Sequence, residues 1–189
     1  MVKLIDKLFA RGDHTCPWWL CFTFDNPARR LLQNPFKILS SYVKKDYAVL
    51  DVGPGMGYFT FPLSHIVGPD GKVVALDIQQ GMLKRLEKKI LNNRADNVKI
   101  KLYDGIKFNL DEKFDFILLF WMYHEVSNKR EFINEIRSVM KSGAKILIVE
   151  PKMHVDKKRF DASIKLLTDA GLTIAEKPHV SLSRAVLLR

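Results

Sequence analysis

One short stretch carries glycines and a carboxylate that are spaced for ligand chemistry. It reads Asp51-x-Gly53-x-Gly55-x-Gly57 and follows an apolar run that begins at Tyr47. Glycines at alternate positions allow a sharp turn and a close approach of the backbone to a ligand. The helix that follows would point its free amide groups into the same space. The stretch predicts a strand, a ligand-binding loop and a helix start, with a glycine turn used only for packing as the alternative.

The glycine spacing separates this loop from the dinucleotide-binding fingerprint. That fingerprint reads G-x-G-x-x-G and sets a helix amino end on a pyrophosphate. In this chain the third glycine comes one residue earlier, and Asp51 precedes the first glycine. An acidic group at that place suits a ligand with a cationic amino group better than a pyrophosphate.

Two further carboxylates follow later apolar runs. Asp77 ends the run that begins at Val73, and Asp104 with Gly105 follows the run that ends at Leu102. A carboxylate at the end of a second strand accepts hydrogen bonds from ribose hydroxyls in nucleotide-binding sheets. We predict that role for Asp77 and a contact with an adenine amino group for Asp104. Capping of a helix is the structural alternative for both.

Alternating strands and helices must position these residues. Apolar runs predict strands at 47–52, 73–78, 98–102, 114–120, 145–149, 172–176 and 184–188, and helical spacing predicts helices at 57–67, 81–92, 128–140 and 155–170. This alternation predicts a mostly parallel sheet with helices on both faces and ligands at the carboxyl ends of the strands. Lys99 and Lys101 mark the third strand as an edge strand.

The first 45 residues differ from the rest of the chain. They are rich in aromatic residues, which include Trp18, Trp19, Phe22 and Phe24, and prolines begin two predicted helices, at about 27–32 and 35–42. We predict two parts, an aromatic-rich cap over residues 1–45 and a ligand-binding domain over 46–189. The aromatic residues either line a substrate pocket or close a small core. Since the sequence ends directly after the last predicted strand, we expect the cap and the strand-end loops to recognise the substrate.

The composition is typical of one soluble domain. The chain has 189 residues, of which 47% are hydrophobic and 28% are charged, and this length suffices to bury a sizeable core. No apolar run approaches the roughly 18 residues that cross a bilayer, and residues 1–11 lack the apolar core of a secretory signal. We expect a cytoplasmic protein without a membrane span.

The charge and the cysteine content limit the kinds of partner and metal that we expect the protein to bind. The net charge of +10 fits either a polyanionic partner, such as RNA or an acidic membrane, or a lysine-rich solvated surface. We favour the solvated surface because the sequence has no block of six or more like charges. Cys16 and Cys21 are the two cysteines and form neither a disulfide framework nor a zinc site. We expect reduced thiols and no bound metal.

The order of the motifs resembles the class I S-adenosylmethionine-dependent methyltransferases. The resemblance rests on stretches 49–60, 73–77 and 114–126, on Asp104, and on Ser142-Gly143-Ala144, where those enzymes carry Pro-Gly-Gly before the fifth strand. It covers about residues 46–188. It implies a Rossmann-like sheet of seven strands in the order 3-2-1-4-5-7-6, with the last strand antiparallel.

The resemblance also implies that the protein binds S-adenosylmethionine. Each matching position would contact a particular part of this cofactor. The three loop glycines and Asp51 would hold the methionyl end, and Asp77 the ribose. Asp104, followed by Gly105, would contact the adenine amino group. Ile78 and Met82 would pack on the adenine and the ribose.

The residues that we expect to contact the methyl acceptor follow the fourth predicted strand. Residues 121–126 lack the Asn/Asp-Pro-Pro-aromatic sequence of nucleic-acid base amino-methyltransferases and look more like small-molecule methyltransferases with a histidine at this point. His124 is the candidate general base. The alternative is a histidine that only shapes the pocket, since the sulfonium donor is already activated and a soft nucleophile needs mainly positioning.

Other predicted acceptor contacts are Trp18, Trp19, Tyr123, Glu150 and Arg184. Arg184 would hold an anionic substrate group, or else pair with Glu150 or Asp156. The leading hypothesis is methyl transfer to a small molecule by a monomer or homodimer. The alternatives are an RNA methyltransferase, a thiol- or metalloid-directed enzyme that uses the two cysteines, a non-catalytic nucleotide-binding protein and a nicotinamide-dependent oxidoreductase.

Overall fold

A computed structural model of the chain describes residues 27–189. The predicted roles of Trp18, Trp19, Cys16 and Cys21 lie outside the described residues. No helix within residues 27–189 combines the length and the apolar character needed to cross a bilayer.

The described residues contain a sheet of seven strands in the predicted order. The strands are β1 (Ala48–Val52), β2 (Lys72–Asp77), β3 (Val98–Leu102), β4 (Phe114–Phe120), β5 (Met140–Pro151), β6 (Ile174–Glu176) and β7 (Ser183–Leu188), and their order is β3-β2-β1-β4-β5-β7-β6. Strands β1 to β5 pair in parallel, whereas β7 pairs antiparallel with both β5 and β6. The fold class and the edge position of β3 are therefore confirmed.

Helices flank the sheet on both faces. They are α1 (Pro27–Leu32), α2 (Pro35–Leu39), α3 (Thr60–Val67), α4 (Gln80–Asn93), α5 (Lys129–Ser138) and α6 (Lys157–Asp169), with a short 3₁₀ helix at Tyr123–Glu125. Helix α3 begins three residues later than predicted because the glycines before it adopt left-handed backbone conformations. Helix α2 is shorter than predicted and ends at Leu39.

The predicted end of α5 was wrong by two residues. The helix ends at Ser138, and Met140 already belongs to β5, where it pairs with Phe114. The pairing then jumps to Phe116 with Lys145, so the intervening residues form a bulge. Gly143, at φ +76°, supplies the left-handed conformation that the bulge requires.

The two faces of the sheet carry separate apolar clusters. Buried residues of α5 and α6, among them Phe132 and Ile164, pack on one face. Leu39, Leu63 and Leu86, from α2, α3 and α4, pack on the other face. The helices therefore cover the sheet faces, and the carboxyl ends of β1, β2, β4 and β5 meet at one edge. The division of the chain at residue 45 stays a prediction.

Candidate functional site

The loop after β1 has the conformation that its glycines predict. Gly53, Gly55 and Gly57 have φ angles of +68°, +56° and +88°, which residues with a side chain rarely adopt. The amide of Gly53 donates to the carbonyl oxygen of Leu76 at 2.8 Å and fixes the loop to β2. The backbone path itself therefore requires glycine.

The three glycines differ in what a side chain would meet. A Cβ atom at Gly53 would lie 2.9 Å from Met122 Cβ, and one at Gly57 would lie 2.5 Å from a ring carbon of Phe61 and 2.8 Å from Leu86 Cδ1. A Cβ atom at Gly55 would meet nothing within 4 Å. Two glycines thus permit close packing, and Gly55 faces open space.

The end of β2 lies beside the end of β1, at the same edge of the sheet as the glycine loop. Asp77 is 8% exposed, and its Oδ1 accepts a hydrogen bond from the amide of Gln79 at 2.8 Å. Burial raises the pKa of Asp77 to about 6. Ile78 is 50% exposed and adjoins Gly105, where a Cβ atom would lie 3.6 Å from Ile78 Cδ1. Met82 is 1% exposed and offers almost no surface to a ligand.

Asp104 organises the turn that follows β3. Its Oδ1 accepts hydrogen bonds from the amides of Ile106 at 2.8 Å and Lys107 at 2.7 Å, and its Oδ2 accepts one from Asn109 at 3.0 Å. These backbone amides, that of Lys107 above all, lower the pKa of the exposed Asp104 carboxyl. The structural alternative for Asp104 holds in a modified form, since the residue caps a turn and not a helix, and the adenine contact stays a prediction.

Asp51 lies beneath the glycine loop. It is 2% exposed and accepts a hydrogen bond from Thr60 Oγ1 at 2.7 Å, at the start of α3. Burial raises the pKa of Asp51 to about 7, although the bond from Thr60 opposes this shift and the charge of Asp77 adds to it. The carboxyl therefore has a structural partner, and its predicted contact with the cofactor amino group stays a prediction.

These raised pKa values predict how the stability of the cofactor-free protein depends on pH. Because folding raises the pKa of Asp51 to about 7 and that of Asp77 to about 6, the native state binds more protons than the unfolded state above pH ~4. The stabilisation is complete below that pH and is lost as the pH rises to about 7. We expect the melting temperature to fall between pH 5 and 8, and Asp51→Asn to flatten this fall. The exposed control Asp111→Asn should leave the slope unchanged, and an unchanged slope in Asp51→Asn would contradict the prediction.

A histidine–glutamate pair joins the ends of β4 and β5. His124 Nδ1 lies 2.5 Å from Glu150 Oε2, and the other oxygen, Oε1, accepts a hydrogen bond from the amide of Tyr123 at 2.9 Å. Glu150 is 2% exposed, whereas the His124 side chain is 28% exposed. Burial lowers the pKa of His124, but the hydrogen bond and charge of Glu150 outweigh it, so the pKa lies above its usual value.

This pair corrects the predicted place of two acceptor contacts. Glu150 was expected to meet the substrate, but it is buried behind His124 and orients the imidazole ring. Tyr123 is 1% exposed and packs against Phe132, with ring centroids 5.8 Å apart. The structure therefore gives both residues supporting positions, and His124 presents a partly exposed ring.

Arg184 lies at the edge of the sheet where β4 and β5 end. We call this edge the acceptor edge, because the contacts with the methyl acceptor are predicted there. Arg184 lies opposite Glu150 in the antiparallel pairing of β5 and β7, yet the ion pairs considered for it, with Glu150 or Asp156, do not occur among residues 27–189. Its Nε atom is buried and has no hydrogen-bond partner in that part of the chain. Its predicted contact with an anionic substrate group stays a prediction. The described residues also hold no cluster of three or more metal-ligating side chains.

Comparison with known proteins identifies the family. A family model described as a methyltransferase domain matches residues 43–176. The chain belongs to the class I S-adenosylmethionine-dependent methyltransferases. Among solved structures, it is similar to a methyltransferase of Aquifex aeolicus described as S-adenosylmethionine-dependent, with a TM-score of 0.83, 28% identity, and coverage of 92% of this chain and 98% of the other. Fibrillarin of Aeropyrum pernix, solved with bound S-adenosylmethionine, shares the fold at a TM-score of 0.62 and 19% identity, over 77% of this chain and 67% of that one.

Curated relatives carry a more specific name. The chain is 34% identical over 142 residues to the ubiquinone/menaquinone biosynthesis C-methyltransferase UbiE of Pseudomonas aeruginosa, which covers 72% of this chain and 56% of that protein. It is 33% identical over 147 residues to the protein of the same name from Saccharophagus degradans, over 75% of this chain and 59% of that protein. The chain thus spans little more than half the length of these relatives.

The residues at this edge of the sheet suit the cofactor of this family, S-adenosylmethionine. Gly55 leaves room for a ligand against the backbone of the loop, and Asp77 ends β2 with a carboxyl that has hydrogen-bonding capacity beyond the bond from Gln79. Ile78 exposes an apolar side chain beside Gly105 for a flat ring. The described residues therefore fit a nucleoside with an amino-acid end, which is what the resemblance implied.

Proposed function

We propose that the protein transfers a methyl group from S-adenosylmethionine to a small, planar, hydroxylated acceptor, with His124 as the general base. The pair of His124 and Glu150 supports this proposal more than any other feature. A methyltransferase that only positions a soft nucleophile has no need of a histidine oriented by a buried carboxylate. An oxygen nucleophile, or a ring carbon activated by a hydroxyl group, must lose a proton and does need such a base.

The chain holds the base in one orientation. Glu150 uses one oxygen for the amide of Tyr123 and the other for His124 Nδ1. Since Nδ1 faces a carboxylate, it carries the proton, and Nε2 remains the basic nitrogen. The cofactor, when bound, supplies the methyl group on a positively charged sulfur. Burial of the His124 ring lowers its pKa, but the hydrogen bond and the charge of Glu150 outweigh this effect, so the ring is a stronger base than a free imidazole.

We assign each part of the cofactor to a group of residues at this edge of the sheet. The loop of Gly53, Gly55 and Gly57 would hold the methionyl end, with Asp51 acting from beneath it. Asp77 would accept hydrogen bonds from the ribose hydroxyls. Near the turn of Asp104 and Gly105, the exposed side chain of Ile78 would pack on the adenine ring.

The acceptor class rests on two further observations. Relatives at 33–34% identity are named C-methyltransferases of quinone biosynthesis, and methylation of a hydroxylated ring at carbon requires removal of a hydroxyl proton. Arg184 brings a guanidinium with a buried, unpartnered Nε to the same edge among the described residues. Such a group would stabilise the oxygen anion that His124 creates.

Transfer of labelled methyl groups tests the proposal. The purified protein is incubated with methyl-labelled S-adenosylmethionine and with separate pools of lipid-soluble metabolites, water-soluble metabolites and RNA. We expect the label in a hydroxylated aromatic fraction and expect S-adenosylhomocysteine, but not nicotinamide nucleotides, to bind. Label in RNA alone would establish the acceptor class that the net charge of +10 favours, and binding without any transfer would overturn the enzymatic role.

A further inference from the structure

Arg29 of helix α1 lies in a cage of aromatic rings between the cofactor loop and the acceptor edge. Its Cζ atom is 4.2 Å from the ring centroid of Tyr58, 4.7 Å from that of Trp121, 5.6 Å from that of Phe120 and 5.8 Å from that of Phe59. These distances lie within the range of cation–π attraction. Two of the rings, Tyr58 and Phe59, directly follow the glycine loop, whereas Phe120 ends β4 and Trp121 is the next residue. Arg29 therefore contacts both sides of the site at once.

Hydrogen bonds close a circuit around this cage. Arg29 Nε donates to Gln33 Oε1 at 3.1 Å, and Gln33 Nε2 donates to Ser183 Oγ at 3.2 Å. The same Ser183 Oγ accepts a hydrogen bond from Trp121 Nε1 at 3.0 Å. Gln33 is 1% exposed, so its bond to Ser183 is buried, whereas the bonds of Arg29 and Trp121 are partly buried. Helix α1 has six residues, too few for a stable isolated helix, and this circuit fixes its position.

Trp121, one of the rings around Arg29, also lies in a strained turn. Trp121 has φ +60°, a costly conformation for a bulky residue. Its amide still donates to the Val149 carbonyl oxygen of β5 at 2.7 Å, so the chain leaves the sheet immediately after this residue. The next residues are Met122, Tyr123 and His124. Trp121 therefore sets the direction in which the chain leaves the sheet towards His124, and the amide of Tyr123 ties the same segment to Glu150.

We propose that Arg29 is a positioning residue, whose planar guanidinium clamps the Trp121 ring and thereby holds the strained turn that sets His124 against Glu150. This inference rests on the proposed function, since it assigns Arg29 a part in holding the base. A guanidinium stacks on two rings with its flat faces and still donates at its edge, whereas an ammonium group has no such face. A lysine at this position should therefore be a poor substitute.

The test follows the imidazole of His124 directly. We compare wild type with Arg29→Met, Arg29→Lys and a matched control, Arg159→Met, whose side chain is exposed on α6. Nuclear magnetic resonance titration of labelled histidine gives the pKa of His124, with His124→Gln used to assign the resonance. We expect a lower pKa of His124 in Arg29→Met, because burial remains while the contact with Glu150 weakens. We also expect kcat to fall at least ~10-fold, and the affinity for S-adenosylhomocysteine to stay within about twofold.

Arg29→Lys should show the same changes at smaller size, and Arg159→Met should show none. A wild-type titration of His124 in Arg29→Met would overturn the proposal. If Arg29→Met does not fold, Arg29→Lys decides, because an unchanged titration there would show that the planar group has no positioning role. The titration is measured without turnover. Its result therefore stands apart from the proposed function, which would fail separately if His124→Gln retained full methyl transfer.

Discussion

Glu150→Gln is expected to lower kcat by about 10²-fold or more, because it removes the charge that orients and strengthens the base. Glutamine has nearly the shape of glutamate, so it preserves packing while neutralising the group next to His124 Nδ1. His124→Gln removes the base itself and should cost at least as much. Since the two residues act as a unit, the double variant should lose little more than His124→Gln alone.

The pH dependence of kcat should also change in Glu150→Gln, and the direction of the change can be predicted. A general base acts in its neutral form, so activity rises as the pH passes above the pKa of His124. The hydrogen bond and charge of Glu150 raise that pKa against the effect of burial. The acidic limb of the wild-type profile should therefore lie above the usual value for histidine, and in Glu150→Gln it should move to lower pH.

A matched control separates this effect from a general loss of charge. Glu87 is exposed on α4, so Glu87→Gln makes the same chemical change away from the site. We expect wild-type kcat and an unshifted profile for that variant. If Glu150→Gln also gave wild-type values, Glu150 would have only a structural role and would not activate His124.

The parts of the structure that local sequence determines could be predicted. Each strand of the sheet is a short apolar run, and the loop glycines require left-handed conformations that no other residue adopts easily. The strand order came from the resemblance to a family. The prediction that Asp77 would lie at the end of β2 required only the length of that strand.

The histidine–glutamate pair could not be predicted in the same way. Glu150 and His124 each follow an apolar strand, which placed both at one edge. The parallel pairing of β4 with β5 was expected, but the turn at Trp121, with its left-handed conformation, is not visible in composition or periodicity. The same holds for Arg29, since the cap region has no regular apolar period that would place it among aromatic rings. A carboxylate and a histidine at the ends of adjacent strands were the only hint in the sequence.

The glycine loop provides the last prediction, a contrast between Gly55→Val and Gly57→Val. At Gly55 a side chain meets open space, so valine should project into the cofactor site and weaken the binding of S-adenosylhomocysteine at least tenfold, or by ~1.4 kcal/mol. At Gly57 a side chain would lie 2.5 Å from Phe61 and 2.8 Å from Leu86. Valine there should destabilise the fold by about 2–4 kcal/mol and lower the melting temperature by about 5–15 °C.

A third glycine provides a control variant for the effect of backbone strain alone. Gly143, at φ +76°, lies in the bulge of β5, and a Cβ atom there would also meet nothing within 4 Å. Gly143→Val therefore combines the same kind of strain with the same open surroundings, away from the loop. It should lower the melting temperature about as much as Gly55→Val does, by a few degrees, and leave the dissociation constant unchanged. Calorimetric titration with S-adenosylhomocysteine and thermal melting of the three variants separate the two effects. If Gly55→Val bound the ligand as tightly as Gly143→Val, the open face of the loop would not be the cofactor site, because the strain is common to both and only the position differs.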